Sequence, residues 1–135
     1  MDALEALTTA RAMRRLHAAT CASSPGNSQG WDFVVVRDAA LRKQIGDLVR
    51  ERMLPRLVAI PESAGSDSSR DRMMRGGRHL AANFGDVPVI VFVCGASIYP
   101  PRQPMDEFVP SPLYPAAQNL LVAARAVGLG TVAPD

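Results

Sequence analysis

Residues 113–127 constrain the fold most. Leu113, Ala116, Ala117, Leu120, Leu121, Ala124 and Val127 are apolar around most of a helical surface. A helix with so little polar surface belongs inside a protein, not on it. Ser111 reads as its cap, Pro112 as its first residue and Gly128 as its stop. Other layers must cover such a helix. Trp31 to Val36 is a β-branched apolar run closed by Arg37-Asp38, and Val87 to Cys94 is a second. Both read as strands buried on two faces. Thr131-Val132-Ala133 reads as the start of a third. Strands alternating with helices give a layered α/β protein.

The remaining segments fit that frame. Residues 2–16 carry Leu4, Leu7, Arg11 and Arg14 at helical spacing. Residues 20–30 are small and turn-forming. Asp38 is placed to cap a helix from Ala39 to about Met53, with Leu41, Ile45, Leu48 and Val49 facing inward and Pro55 breaking it. Residues 61–72 read as a mobile surface segment, Met73 to Phe84 as a helix despite Gly76-Gly77, and residues 95–110 as irregular.

Composition narrows the function classes. Hydrophobic residues make up 47% of the 135 and charged residues 21%, which suits one globular domain over residues 1–135 rather than a disordered chain. A net charge of +2 is too mild to imply nucleic acid or an anionic membrane as partner. No apolar run approaches the roughly 20 residues that span a bilayer. Cys21 and Cys94 stand alone, with no Cys/His spacing for zinc, so no metal site is expected. Two isolated thiols and no secretory leader suit a reducing cytoplasm.

Three constellations could carry chemistry. Arg11, Arg14 and Arg15 could grip a phosphate through forked hydrogen bonds, or form an ordinary solvated basic face. Ser24-Pro-Gly-Asn27-Ser-Gln29-Gly-Trp31 offers amide donors and acceptors for the edge of a heteroaromatic ring, or is a plain Asx-rich turn. Pro110-Ser111-Pro112-Leu113-Tyr114 opens the apolar helix, whose N-terminus carries partial positive charge. His17 and His79 are isolated, and no nucleophile elbow, dinucleotide fingerprint or Walker loop is present.

Taken together these segments resemble the nitroreductase family. Thr8 to Leu16 is similar to its opening R-R-S-x-R-R-F, with Ala12 at the serine. Ala22 to Val36 is similar to A-P-S-x-x-N-x-Q-P-W-x-F-V-V-V, with Gly30 at the proline. Leu113 to Gly130 is similar to the central helix, A-x-x-N-L-L-L-A-A-x-x-L-G-L-G. The resemblance implies an α+β fold, a three-layer α/β/α sandwich with a mostly antiparallel sheet around a buried helix, incomplete here. Relative to the family the chain looks shortened after Leu16 and at its C-terminus. It further implies FMN at a homodimer interface and electron transfer from NADH or NADPH to a small-molecule acceptor such as a nitroaromatic or quinone. Arg11 and Arg14 would then bind the FMN phosphate, with Ala12 contributing backbone. Ser24, Asn27 and Gln29 would contact the ribityl chain or ring, and Pro110, Ser111, Pro112 and Leu113 would lie against the ring. No side chain need act as acid or base. The alternative is a non-catalytic flavin-binding or interaction remnant of the same fold.

Overall fold

The computed structural model describes residues 16–60 and 68–132. The cluster of Arg11, Ala12, Arg14 and Arg15 lies outside these residues, as do most of the first expected helix, residues 61–67 of the expected surface segment, and Ala133. The chain divides into two compact units. One is Val36–Ile90, and the other runs up to Val35 and resumes at Val91.

In the unit Val36–Ile90, helix α1 spans Ala39–Val58. Asp38 caps it as expected, its Oδ1 accepting from the Leu41 amide at 2.8 Å. The helix does not break at Pro55. The proline lacks its own N–H, but its carbonyl still accepts from Ala59 at 3.1 Å, so the last turn closes. Helix α2 spans Ser69–Asn83 and starts four residues before the expected Met73. Ser68 nucleates it: Oγ accepts from the Asp71 amide at 3.2 Å and donates to Asp71 Oδ2 at 2.7 Å. Residues 68–72, expected in a mobile segment, are therefore the capped start of a helix.

The expected inward stripe of α1 is also corrected. Leu41 and Leu48 are 44% and 58% exposed, while Gly46 is buried. Gly46 faces the 3-10 turn Phe84–Asp86 so closely that a Cβ there would lie 2.4 Å from the Gly85 amide nitrogen. This backbone contact fixes the packed face and turns the leucines outward. Arginines bridge the unit by donating to carbonyls. Arg42 Nη1 reaches the Val87 carbonyl. Arg50 gives Nε and Nη2 to Ala82 O at 3.1 and 2.9 Å. Arg78 gives Nε to Leu57 O at 3.1 Å and Nη2 to Ile60 O at 2.6 Å.

In the other unit, strand β1, Trp31–Val36, pairs with β2, Ile90–Gly95, in an antiparallel ladder that continues as the Ala96 amide donates to Gly30 O at 3.0 Å. Burial on both faces is not observed: Val34 is 51% exposed and Phe92 43%. Among the described residues the sheet has two strands, and these faces are left without a covering layer. Thr131 and Val132 form no strand. The core gathers Ala19, Trp31 and Ala116, with Phe33, Leu113 and Leu120 packed against it.

Helix α3 spans Pro110–Arg125. Its N-cap is Val109, not Ser111, and Pro110 rather than Pro112 is its first residue. Gly128 terminates it as expected, with φ of 82°. The Gly128 amide donates to Arg125 O at 3.0 Å and the Leu129 amide to Ala124 O at 3.1 Å, the two bonds of a left-handed C-terminal cap. Only Pro112, Ala116 and Ala124 of α3 are buried, and Tyr114 and Val122 stand exposed, so this chain covers one face of the helix. Asn119 anchors that face, its Nδ2 donating to Ala18 O at 3.1 Å. No helix among the described residues is long and apolar enough to cross a membrane.

Candidate functional site

The loop before β1 is built around left-handed backbone. Gly26, Asn27 and Gln29 have φ of 56°, 53° and 51°. This conformation disfavours side chains, and at Asn27 and Gln29 it must be held by other bonds. Those bonds converge on Ser24. Its carbonyl accepts from the Asn27 amide at 3.0 Å, and its Oγ accepts from the Gln29 amide at 3.0 Å. Gln29 Nε2 donates to Asn27 Oδ1 at 3.1 Å. The two exposed amide side chains thus present a donor and an acceptor from one stiff piece of chain.

The start of α3 is apolar and poor in donors. Proline at positions 110 and 112 removes two of the N–H groups that a helix start leaves free, and the Val109 amide is taken by Asp106 O, so of that first turn Ser111 keeps its N–H. Pro112 is buried and Leu113 half-buried, while Pro110 and Ser111 are exposed. Leu113 comes so close to β2 that a Cβ on Gly95 would lie 2.8 Å from its Cδ1.

Loop and helix start meet at one small pocket. Ser28 and Gly30 line it from the loop, Val109 and Pro112 from the start of α3, and Ile98, Tyr99, Met105 and Phe108 from the segment between. Of the residues expected at the site, Pro112 alone lines this pocket of about 10 Å³, while Ser24, Asn27, Gln29, Pro110, Ser111 and Leu113 do not. Arg11, Ala12 and Arg14 lie outside the described residues.

The residues that sequence reasoning missed are Ile98, Tyr99, Met105 and Phe108. The segment 96–109 is irregular apart from the 3-10 turn Asp106–Phe108, and the Tyr99–Pro100 peptide is cis. It packs on the loop at two glycines. A Cβ on Gly26 would lie 2.7 Å from Tyr99 Cε2, and one on Gly30 would lie 2.9 Å from Ile98 Cδ1. Glycine in place of the family's proline at position 30 was the available clue. It makes room for Ile98.

The sequence model of the nitroreductase family matches residues 4–133. The chain belongs to this family. No curated protein matches the sequence. Among solved structures, the chain is similar to an oxidized iodotyrosine deiodinase bound to FMN and 3-iodo-L-tyrosine, at 20% identity and TM-score 0.65, covering 89% of this chain and 59% of that one. It is similar to an FMN-dependent nitroreductase from Clostridium difficile at 22% identity and TM-score 0.57, covering 88% and 46%. A third is the FMN-dependent nitroreductase of Mycobacterium smegmatis in complex with NADPH, at 18% identity and TM-score 0.55, covering 90% and 63%. The nitroreductase fold thus accounts for nearly all of this chain, and the chain spans less than two thirds of each of these structures.

Proposed function

We propose that the protein is an FMN-dependent oxidoreductase. It passes electrons from NADH or NADPH to a small organic acceptor such as a nitroaromatic or quinone, and it works as a homodimer in the cytoplasm. The observation that carries this reading is the match to the nitroreductase family over residues 4–133, which takes in both the Ser24–Trp31 loop and the start of α3. The FMN named in similar structures and the NADPH named in one of them support the choice of cofactor and donor. Free, exposed Cys21 and Cys94 suit a reducing compartment.

The residues present fit a flavin. A flavin offers an apolar, planar face and a polar edge. The proline-rich start of α3 supplies an apolar surface with few competing donors. The stiff loop supplies Asn27 and Gln29 amides for the edge, and Ser24 keeps its O–H as a donor because its Oγ accepts from Gln29. In this reading Ser24, Asn27 and Gln29 hold the ribityl chain or ring edge. Pro110, Ser111, Pro112 and Leu113 hold the ring, and Arg11 and Arg14, with the Ala12 backbone, hold the phosphate. When bound, FMN supplies the electron transfer. The chain's own residues bind, orient and screen it from water. The partial positive charge at the start of α3 favours negative charge placed there.

The test is a titration of the purified protein with FMN, followed by absorbance and by identification of any chromophore released on heating. A yellow protein that releases FMN and oxidises NADH or NADPH with an acceptor is the expected result. A colourless protein that stays apo in excess FMN would overturn the reading. The second reading, a non-catalytic flavin-binding or interaction module, draws on the uncovered face of α3, where Tyr114 is 76% exposed. Bound FMN without turnover of any donor and acceptor pair would favour it.

A further inference from the structure

We infer that Tyr99, braced by Phe108, is a positioning residue that sets the separation between the Ser24–Trp31 loop and the start of α3. The consequence for flavin affinity rests on the function proposed above. On the loop side, the Tyr99 ring edge fills the space that a side chain at Gly26 would need, with Cε2 2.7 Å and Cδ2 3.4 Å from that Cβ position. Gly26 sits between Ser24 and Asn27. The bonds from Asn27 and Gln29 back to Ser24 make the loop one piece, so contact at Gly26 is felt by both amide side chains.

On the helix side, Tyr99 meets Phe108 edge to face, with ring centroids 5.3 Å apart and planes at 83°. Phe108 ends the turn Asp106–Phe108, which the bond from the Val109 amide to Asp106 O at 3.0 Å closes directly before Pro110. The chain between the two rings is drawn in by the Met105 amide on Tyr99 O and the Gln103 amide on Pro100 O, both at 3.0 Å. The span from Tyr99 to Phe108 is thus a brace with one end on the loop and the other at the mouth of α3. Its rings are not core residues, for Tyr99 is half-buried and Phe108 is 37% exposed. Removing a ring leaves the loop and α3 each with its own bonds and uncouples one from the other.

The test compares Tyr99→Ala, Tyr99→Phe, Phe108→Ala, Phe108→Leu and the double alanine variant with the parent protein. Hydrogen exchange on the apo protein is read first. Tyr99→Ala is expected to speed exchange in the Gly26–Gly30 loop and at Leu113 and Tyr114, the first amides bonded within α3, together, with the helical ellipticity unchanged. FMN affinity is then read from quenching of flavin fluorescence. Each alanine variant is expected to bind about five- to tenfold more weakly, as loss of one aromatic pair implies. The double variant is expected to be no weaker than the singles, because one contact has been lost rather than two. Tyr99→Phe is expected to match the parent, since the ring and not the hydroxyl makes the contact. Phe108→Leu, which keeps volume, serves if an alanine variant fails to fold, and an intermediate loss is expected. Exchange confined to the mutated segment, additive losses in the double variant, or Tyr99→Phe as weak as Tyr99→Ala would each overturn the inference. A parent protein that takes up no FMN would sink the functional reading, and the brace would then stand or fall on hydrogen exchange alone.

Discussion

The two compact units are joined internally by different kinds of contact. In Val36–Ile90, backbone meets backbone: Gly46 of α1 touches Gly85, and arginines tie helix ends and turns by donating to carbonyls. In the other unit, glycine meets mainly side chains, with the Ala96 carbonyl, 3.2 Å from a Cβ on Gly30, the backbone exception. Tyr99 lies on Gly26, Ile98 on Gly30, and Leu113 with Val109 on Gly95. Backbone in a helix and a tight turn cannot yield without breaking its own hydrogen bonds, whereas side-chain ends can rotate or slide. The first unit is therefore rigid by construction and the second adaptable. The candidate site lies within the adaptable one, where a ligand of fixed shape can be accommodated by small side-chain adjustments.

Substitutions at matched glycines and at one staple can break or sharpen this contrast. Gly46→Ala has the largest expected effect, a loss of about 3 kcal/mol, because the new Cβ meets backbone. It is read as a lowered urea midpoint at unchanged slope. A loss under about 1 kcal/mol would mean that α1 and the turn separate freely, and the contrast would fail. Arg78→Met removes the bonds to Leu57 O and Ile60 O and is expected to cost about 1–2 kcal/mol by the same assay. A neutral result would show that these carbonyls turn to water at no cost. Gly95→Ala should cost about 1 kcal/mol, since the atoms nearest its Cβ are side-chain ends of Leu113 and Val109, both at 2.8 Å. A cost equal to that at Gly46 would erase the distinction between the units. Gly76→Ala, in α2 with nothing within 4 Å of its Cβ, should stabilise by about 0.5–1 kcal/mol, as a raised thermal midpoint. Destabilisation there would mean that this face of α2 is covered in solution.

What was legible in the sequence was local. Asp38 announced α1 because a capping carboxylate acts on amides three residues away. Gly128 announced the end of α3 because a left-handed residue suits glycine. Both strands were read within a few residues of their ends, and the turn before Trp31 was recognised from its small polar residues. The misreadings share one cause, which is that the deciding contact was distant or made by backbone. Leu41 and Leu48 were expected inside because apolar side chains usually are, but Gly46 set the packed face and has no side chain for a hydrophobicity pattern to register. The start of α2 was missed because Ser68 and Asp71 sit in a serine-rich stretch that reads as surface loop. Of the candidate site, the Ser24–Trp31 loop and the α3 start were visible as motifs. The brace of Tyr99 and Phe108 was not, because it joins residues in a proline-rich segment that has no periodicity to read.

The uncovered apolar side chains of α3 and the sheet carry a thermodynamic consequence. Tyr114, Val122, Val34 and Phe92 are between 43% and 76% exposed. A surface that covers them as the fold arranges them, and that does not bind the unfolded chain, enters the unfolding equilibrium through mass action. The melting temperature of this protein is then a property of the solution as much as of the chain. It should climb as the covering partner, a second copy included, is added.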